Sequence, residues 1–245
     1  MNEILRSLRA RKSVRAYEER PIGPAEKQAI IEAAIQAPTA GNQALYTILD
    51  IQDQGIKEEL ARLCDDQPFI ATAPLVLVFL ADNQRWLDAY AAAGAVPRPP
   101  LVGDLLLAMA DALIAAQNAV VAAESLGIGS CYIGDILENK EKVAPLLGLE
   151  GSVVPAAMLV FGYPTGQQAA RTKPPRFHSK YLLRKDRYSR LPEEEIRRMF
   201  AEQRGTPDFD FDKFIRAFCE RKYMSAFSLE MSRSALEYLR PYLGK

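Results

Sequence analysis

The stretch "VGDLLLAMADALIAAQNAVVAAESLG", residues 102–127, contains the longest apolar run of this 245-residue chain. Asp111, Gln117, Asn118 and Glu124 interrupt it. A membrane span rarely carries two acids and two amides in about 20 residues. The stretch therefore reads as a long helix of a globular domain, apolar nearly all round. Gly127 is placed to stop it, because glycine accepts the left-handed conformation that ends helices.

Outward from this helix, strands and helices alternate. "PLVLVFLAD" (74–82) and "VVPAAMLVFGYP" (153–164) are continuous apolar runs, the pattern of strands covered on both faces. "LYTILDIQ" (45–52) alternates like a strand, and "SCYIG" (130–134) reads as a short one. Helices are expected over 3–10, 23–37, 56–64 and 139–148. In the second of these Pro24 sits in the first turn and Ile30, Ile31, Ala34 and Ile35 share a face. The sum is a sheet wrapped by helices, either α/β or α+β. After Pro164 the texture changes. "TGQQAARTKPPRFHSKYLLRKD" (165–186) is basic, polar and proline-bearing, and is expected to be a surface loop. Amphipathic helices over roughly 193–203, 209–222 and 228–240 follow. The expected division is a core over 1–165 and an arm over 166–245, packed on the core or on a second subunit, in a single domain overall.

Lys+Arg and Asp+Glu are 31 each, so no global field favours nucleic acid or anionic lipid. The basic segments Arg6–Arg15 and Arg171–Lys185 lack the interleaved aromatics of single-strand binders. No secretion signal is visible at the N-terminus. Cys64, Cys131 and Cys219 show no paired spacing, which suits a reducing cytoplasm, and the single histidine, His178, leaves no multi-histidine metal site. His178 reads as a surface residue, Trp86 as a packing residue and Asp65–Asp66 as a solvated turn.

"GIGSCYIG" (127–134) has the glycines of a dinucleotide fingerprint, but a helix precedes it and a strand follows, the reverse of what that fingerprint needs. No phosphate loop, nucleophile elbow or zinc-protease pair is present. What remains is a scattered polar set beside strand ends. "RKSVR" supplies Arg11, Lys12, Ser13 and Arg15; "APTAGNQ" supplies Thr39, Asn42 and Gln43; "CDDQPFI" supplies Gln67; "TKPPRF" supplies Lys173 and Arg176. Each alone has a plain structural reading. Together they suit one elongated ligand with a phosphate at one end and a flat, amide-rich ring at the other. Guanidinium forks and hydroxyls bind phosphate, and carboxamides match a ring edge that both donates and accepts.

With these motifs the chain resembles the FMN-dependent nitroreductase family. "RKSVRAYEERPI", "APTAGNQALYTILDI", "CDDQPFIATAPLVLVFLAD", "GIGSCYIGDI" and "FGYPTG" with "RTKPPRF" run in the family's order over residues 4–178. "FSLEMSRSALEYLR" (227–240) is similar to the tail of the larger, NADPH-preferring type. The resemblance implies a three-layer α+β fold with a mostly antiparallel sheet of four or five strands, in an obligate homodimer with FMN at the subunit interface. It places helix 104–126 in that interface. It implies that Arg11, Lys12 and Ser13 hold the phosphate and ribityl end, with Arg176 closing over the phosphate. Thr39 and Asn42 would come from the partner subunit, and Gln67 would meet the pyrimidine edge. Tyr132, Ile133 and Gly134 would back the ring through main-chain groups, with Arg15 and Lys173 near N1. The implied reaction is ping-pong hydride transfer from NAD(P)H through flavin N5 to nitroaromatics, quinones or similar acceptors, with no catalytic side chain and no metal. Alternatives are a specialised flavin reductase, a reductive dehalogenase, or a flavin-binding protein without turnover. Asp135 stands where the family often has a second glycine, an extra proline separates Lys173 from Arg176, and Ala44 replaces a larger residue.

Overall fold

Four apolar runs pair into one sheet: β1 (Tyr46–Asp50), β2 (Leu75–Asp82), β3 (Gly129–Ile133) and β4 (Val153–Gly162). The computed structural model describes residues 1–206 and 208–244. Strand order is β1-β2-β4-β3 and every pairing is antiparallel, with Tyr46 opposite Ala81, Leu75 opposite Phe161 and Gly129 opposite Gly162. The two longest strands are central. Leu75, Leu77 and Phe79 of β2 face one layer of helices while Val76, Val78 and Leu80 face the other. Burial on both sides is why β2 shows no polar alternation.

The helices, in chain order, are α1 (Glu3–Ala10), α2 (Pro24–Ile35), α3 (Gln54–Leu63), α4 (Gln84–Ala92), α5 (Val102–Ser125) and α6 (Lys140–Leu146). They continue as α7 (Gly166–Ala170), α8 (Ser179–Leu182), α9 (Glu193–Arg204), α10 (Phe211–Phe218) and α11 (Ala226–Leu239). Helices α2 and α5 cover one sheet face through Ile30, Ala34, Ala112, Ala115 and Ala119. Helices α3 and α6 cover the other through Leu60, Leu63 and Val143. The result is the three-layer α+β arrangement. Local chemistry sets the ends. The Asp53 carboxylate accepts the Ile56 amide at 2.9 Å to start α3, the Asp104 carboxylate accepts the Leu101 amide at 2.7 Å at α5, and Gly127 (φ +75°) lies just past α5.

The antiparallel pairing of the four strands agrees with the α+β sheet that the resemblance implies, and it resolves the α/β alternative that strand–helix alternation left open. One expectation is corrected. The 165–186 segment is not simply loop: it holds the short helices α7 and α8, the latter entered through His178, whose Nδ1 accepts the Lys180 amide at 3.2 Å. Helix α4 was not anticipated. Its Trp86 donates from Nε1 to the Gln43 carbonyl at 2.9 Å and packs, as expected, against the core.

Contacts divide the chain into two units, Met1–Arg171 with Glu230–Lys245, and Thr172–Leu229. The second has its own aromatic cluster. Phe200 meets Phe177 edge-on at 5.2 Å, the Arg204 guanidinium lies over Phe214 at 4.0 Å, and Lys180 pairs with Glu202 at 2.8 Å. In the first unit, α11 from Glu230 onward seals the end of α6. The Ser234 hydroxyl accepts the Lys140 amide at 2.9 Å, and Arg233 bonds both Glu141 and Glu230 at 2.8 Å.

Helix α5 is long and apolar enough to span a bilayer by composition alone. Here its alanines pack on the sheet, and Asp111, 3% exposed, binds the 39–45 loop. The Asp111 carboxylate accepts from the Thr39 hydroxyl, from the Ala40 amide at 3.0 Å and from the Leu45 amide at 3.2 Å. The Thr39 oxygen in turn accepts the Ala44 amide at 2.8 Å. This network holds Gly41, Asn42 and Ala44 at positive φ (58°, 56° and 49°). Asp111→Ala should cost about 2–4 kcal/mol, because it strands buried donors as well as removing charge-assisted bonds. Chemical denaturation measures this, and a loss below about 0.5 kcal/mol would show that the network does not hold the loop.

Candidate functional site

After α1 the chain turns extended and runs along the outer edge of β3. Ser13 forms a parallel bridge with Ser130, and the Val14 amide donates to the Ser130 carbonyl at 3.0 Å. Gly129 permits this approach. A Cβ there would stand 2.5 Å from Val14 Cγ2, inside any tolerable contact. Further along, Tyr17 bridges Pro164 and the Glu18 amide donates to the Tyr163 carbonyl at 2.9 Å, so residues 13–18 cover the strand ends.

This path carries the cation cluster to β3. The Arg11 guanidinium lies 5.9 Å from the centre of the Tyr132 ring. Its Nε and Nη2 are buried and have no hydrogen-bond partner among the described residues. Burying guanidinium donors without acceptors is costly, which leaves Arg11 with donors that an anion could satisfy. Lys12 is used differently. Its ammonium donates to the Ala169 carbonyl at 2.6 Å and also to that of Arg171, while Arg171 Nη2 returns a bond to the Ser13 carbonyl at 2.8 Å. These bonds tie the end of α7 to the Arg11–Arg15 segment. The Arg15 guanidinium lies over Phe69 at 5.8 Å and its amide meets Gln168 Oε1 at 3.4 Å.

At the other end of β3, Gly134 opens a 3₁₀ turn through Leu137. Gln67, beyond the left-handed pair Asp65 and Asp66, donates from Nε2 to the Cys64 carbonyl at 2.7 Å and to Asp135 Oδ2 at 2.9 Å. The Tyr132 hydroxyl meets Gln117 Oε1 at 3.4 Å, and burial pushes its phenol up to about 12.

The structure thus brings Arg11, Ser13 and Tyr132 together through β3, with Ile133 and Gly134 at its end. Gln67 meets the turn at Asp135, and Arg15 stacks on Phe69 two residues beyond Gln67. Thr39 is committed to Asp111, and Asn42 lies in the same loop. Lys173 and Arg176 belong to the second unit. Two residues escaped the sequence reading. Asp111 registered only as an interruption of an apolar run, although an acid inside such a run is itself a signal of a buried network. Glu138 gave no signal, because α11 and the loop after α3 create its burial.

Residues 8–163 match the nitroreductase family, and the chain belongs to it. It is 32% identical over 177 residues to the FMN reductase [NAD(P)H] of Bacillus subtilis, covering 71% of each chain. It is 32% identical over 198 residues to the oxygen-insensitive NADPH nitroreductase of Salmonella typhimurium, covering 81% of this chain and 80% of that one. Among solved structures, B. megaterium NfrA2 superposes with a TM-score of 0.83 over 100% of both chains at 28% identity.

Gly129→Ala should displace Val14 from β3 and cost about 1–3 kcal/mol, as overpacking does. Hydrogen exchange at the Val14 amide should accelerate. Gly134→Ala, where a Cβ meets nothing within 4 Å, should leave that amide's protection unchanged, and equal effects would refute the assignment.

Proposed function

We propose that this protein is an FMN-dependent oxidoreductase that passes electrons from NAD(P)H to nitroaromatics, quinones or similar flat acceptors. FMN, when bound, would supply the hydride chemistry of such a ping-pong cycle. The carrying observation is the buried Arg11 guanidinium, whose unpartnered N–H groups a phosphate would satisfy, beside a strand end free of bulky side chains at Gly134.

The residues divide the work along β3. Arg11 and Ser13 bind the phosphate end, with Lys12 adding charge there while its ammonium fixes the end of α7. Tyr132, Ile133 and Gly134 present main-chain groups to the ring, and Gln67 orients its pyrimidine edge. Arg15 supplies a positive charge that favours electron density on the ring, an effect strongest where water is excluded. Lys173 and Arg176 are assigned ring-tuning and phosphate roles by the resemblance of their motif. With these groups binding and polarising the ring, no side-chain nucleophile or acid–base pair is required.

The active form is a homodimer with FMN between subunits. The outer flank of α5 supports this, with Leu106 62% and Leu107 52% exposed and Leu113 and Ile114 beside them. Such a contiguous apolar flank is characteristic of an interaction surface. The loop at Thr39 and Asn42, pinned from behind by Asp111, is offered to the partner's flavin. Three free cysteines suit a reducing cytoplasm.

The purified protein should be yellow and should bleach anaerobically with NAD(P)H. A colourless protein that takes up no added FMN would overturn the reading. Arg11→Ala should raise the FMN dissociation constant about ten- to a hundredfold, the equivalent of roughly 1.5–3 kcal/mol for a charge-assisted bond. Fluorescence quenching of free FMN reads this directly. Light scattering should give the mass of a dimer, and Leu106→Glu with Leu113→Glu should reduce it to that of one chain.

A further inference from the structure

Glu138 lies where the 3₁₀ turn after β3 meets α6, and it is 6% exposed. Its amide donates to the Asp135 carbonyl at 2.9 Å, so the two acidic residues belong to one turn. Its Oε1 is buried with no hydrogen-bond partner among the described residues. The groups facing it are mostly anionic. Asp135 comes from its own turn, Cys64 and Asp65 from the loop after α3, and Glu230 from α11. The neighbouring cation on α11, Arg233, is already shared between Glu230 and Glu141. Lys140 lies over the ring of Tyr238 at 5.7 Å, and burial, with Glu141 and Cys64 nearby, raises that tyrosine's phenol. Burial also raises the Cys64 thiol, with Asp135 and Glu138 adding to the effect. Among these described groups none offers the Glu138 carboxylate a cation partner.

The pair is connected to the flavin pocket through one side chain. Asp135 Oδ2 accepts from Gln67 Nε2 at 2.9 Å, and Gln67 is the residue assigned to the ring's pyrimidine edge. We propose that Glu138, buried in the same turn as Asp135, takes up a proton and, through Asp135 and Gln67, couples the reduction of bound FMN to proton uptake by the protein. This rests on the flavin reading given above. Glu138 is a positioning residue in this scheme, not a catalytic one.

The sign follows from Coulomb's law. Burial first, then Asp135, Asp65 and Glu230, raises the Glu138 carboxyl to about 7. Below that pH Glu138 is neutral; above it Glu138 adds a negative charge to the turn behind Gln67. Two electrons arriving on the ring would add negative charge nearby, which disfavours the ionised form of Glu138. Glu138 therefore takes a proton from solvent as the flavin is reduced by NAD(P)H and returns it on reoxidation. No bond other than O–H changes at the pair. Reduction is thus favoured at lower pH beyond what the flavin's own protons require, and the extra dependence is lost as pH falls well below 7, where Glu138 stays protonated in both redox states.

The test is an anaerobic redox titration of the holoprotein against a reference dye from pH 5.5 to 8.5, for the native chain and for Glu138→Gln. The two should agree at pH 5.5. By pH 8.5 the variant should have the higher potential, with a reduced-to-oxidised ratio about tenfold greater, or about 30 mV for two electrons. Asp135→Asn should move the break in the native profile to lower pH, because the neighbouring charge is gone. Parallel profiles with a constant offset, or none, would overturn the proposal. If Glu138→Gln does not fold, the native profile decides alone, since a line without extra slope around pH 7 refutes the coupling. The apoprotein gives an independent readout: its infrared spectrum should contain a protonated-carboxyl band at pH 6 that is absent at pH 8.5 and absent from Glu138→Gln. A native protein that binds no FMN sinks the flavin reading. The infrared band still tests the pair.

Discussion

At Gly129 the backbone of β3 and the side chain of Val14 share space that one added methyl group would fill. Everything on the outer edge of β3 depends on that clearance. It lets Ser13 form a single parallel bridge with Ser130 and Val14 donate to the Ser130 carbonyl, which satisfies an edge group that would otherwise be open to another chain. It also fixes where the preceding residues go. Arg11, two positions before Ser13, is thereby brought against Tyr132, and Lys12 reaches the end of α7. An electrostatic feature at the surface therefore traces back to a steric one in the sheet, and neither the cations nor the glycine would suffice alone.

The chain's net charge of zero conceals a close approach of opposite charges around the end of β3. Arg11 lies over Tyr132 and Arg15 over Phe69, two residues beyond Gln67, while Asp135 and Glu138 stand in the turn that follows the strand. In the flavin reading proposed above, Arg11 would act on the phosphate tail, while Arg15 and Glu138 would act on the ring with opposite sign.

The layer structure was legible in the sequence because burial leaves periodic marks. Unbroken apolarity in β2 and β4 announced strands covered on both faces, and Gly127 announced the end of α5. Strand direction left no such mark: the same runs would serve a parallel sheet, and the pairing of β3 with β4 is decided by packing. The candidate site was readable where residue type alone suggests chemistry, as in the arginines of RKSVR and the amide of Gln67, which the structure sets against Tyr132 and Asp135. It was illegible where partners come from afar. Thr39 looks like a ligand donor until Asp111, 72 residues away, claims its hydroxyl. Glu138 looks like a surface acid until α11, some 90 residues later, helps to bury it.

Helix α5 shows why apolarity all round need not mean a single environment. Its alanines, fully buried along one face, are small enough to let the helix lie close on the sheet. Its leucines at 106, 107 and 113 and Ile114 face outward, where bulk is useful only against another surface. Between these faces Asp111 points to neither, and is tolerated because a hydroxyl and two backbone amides solvate its carboxylate as water would. That carboxylate holds the 39–45 loop in a conformation of high backbone cost. A helix that were merely greasy could fill the first two roles. Only the interrupted version can also shape a loop, so the residue that argues against a bilayer is the one that links α5 to the 39–45 loop.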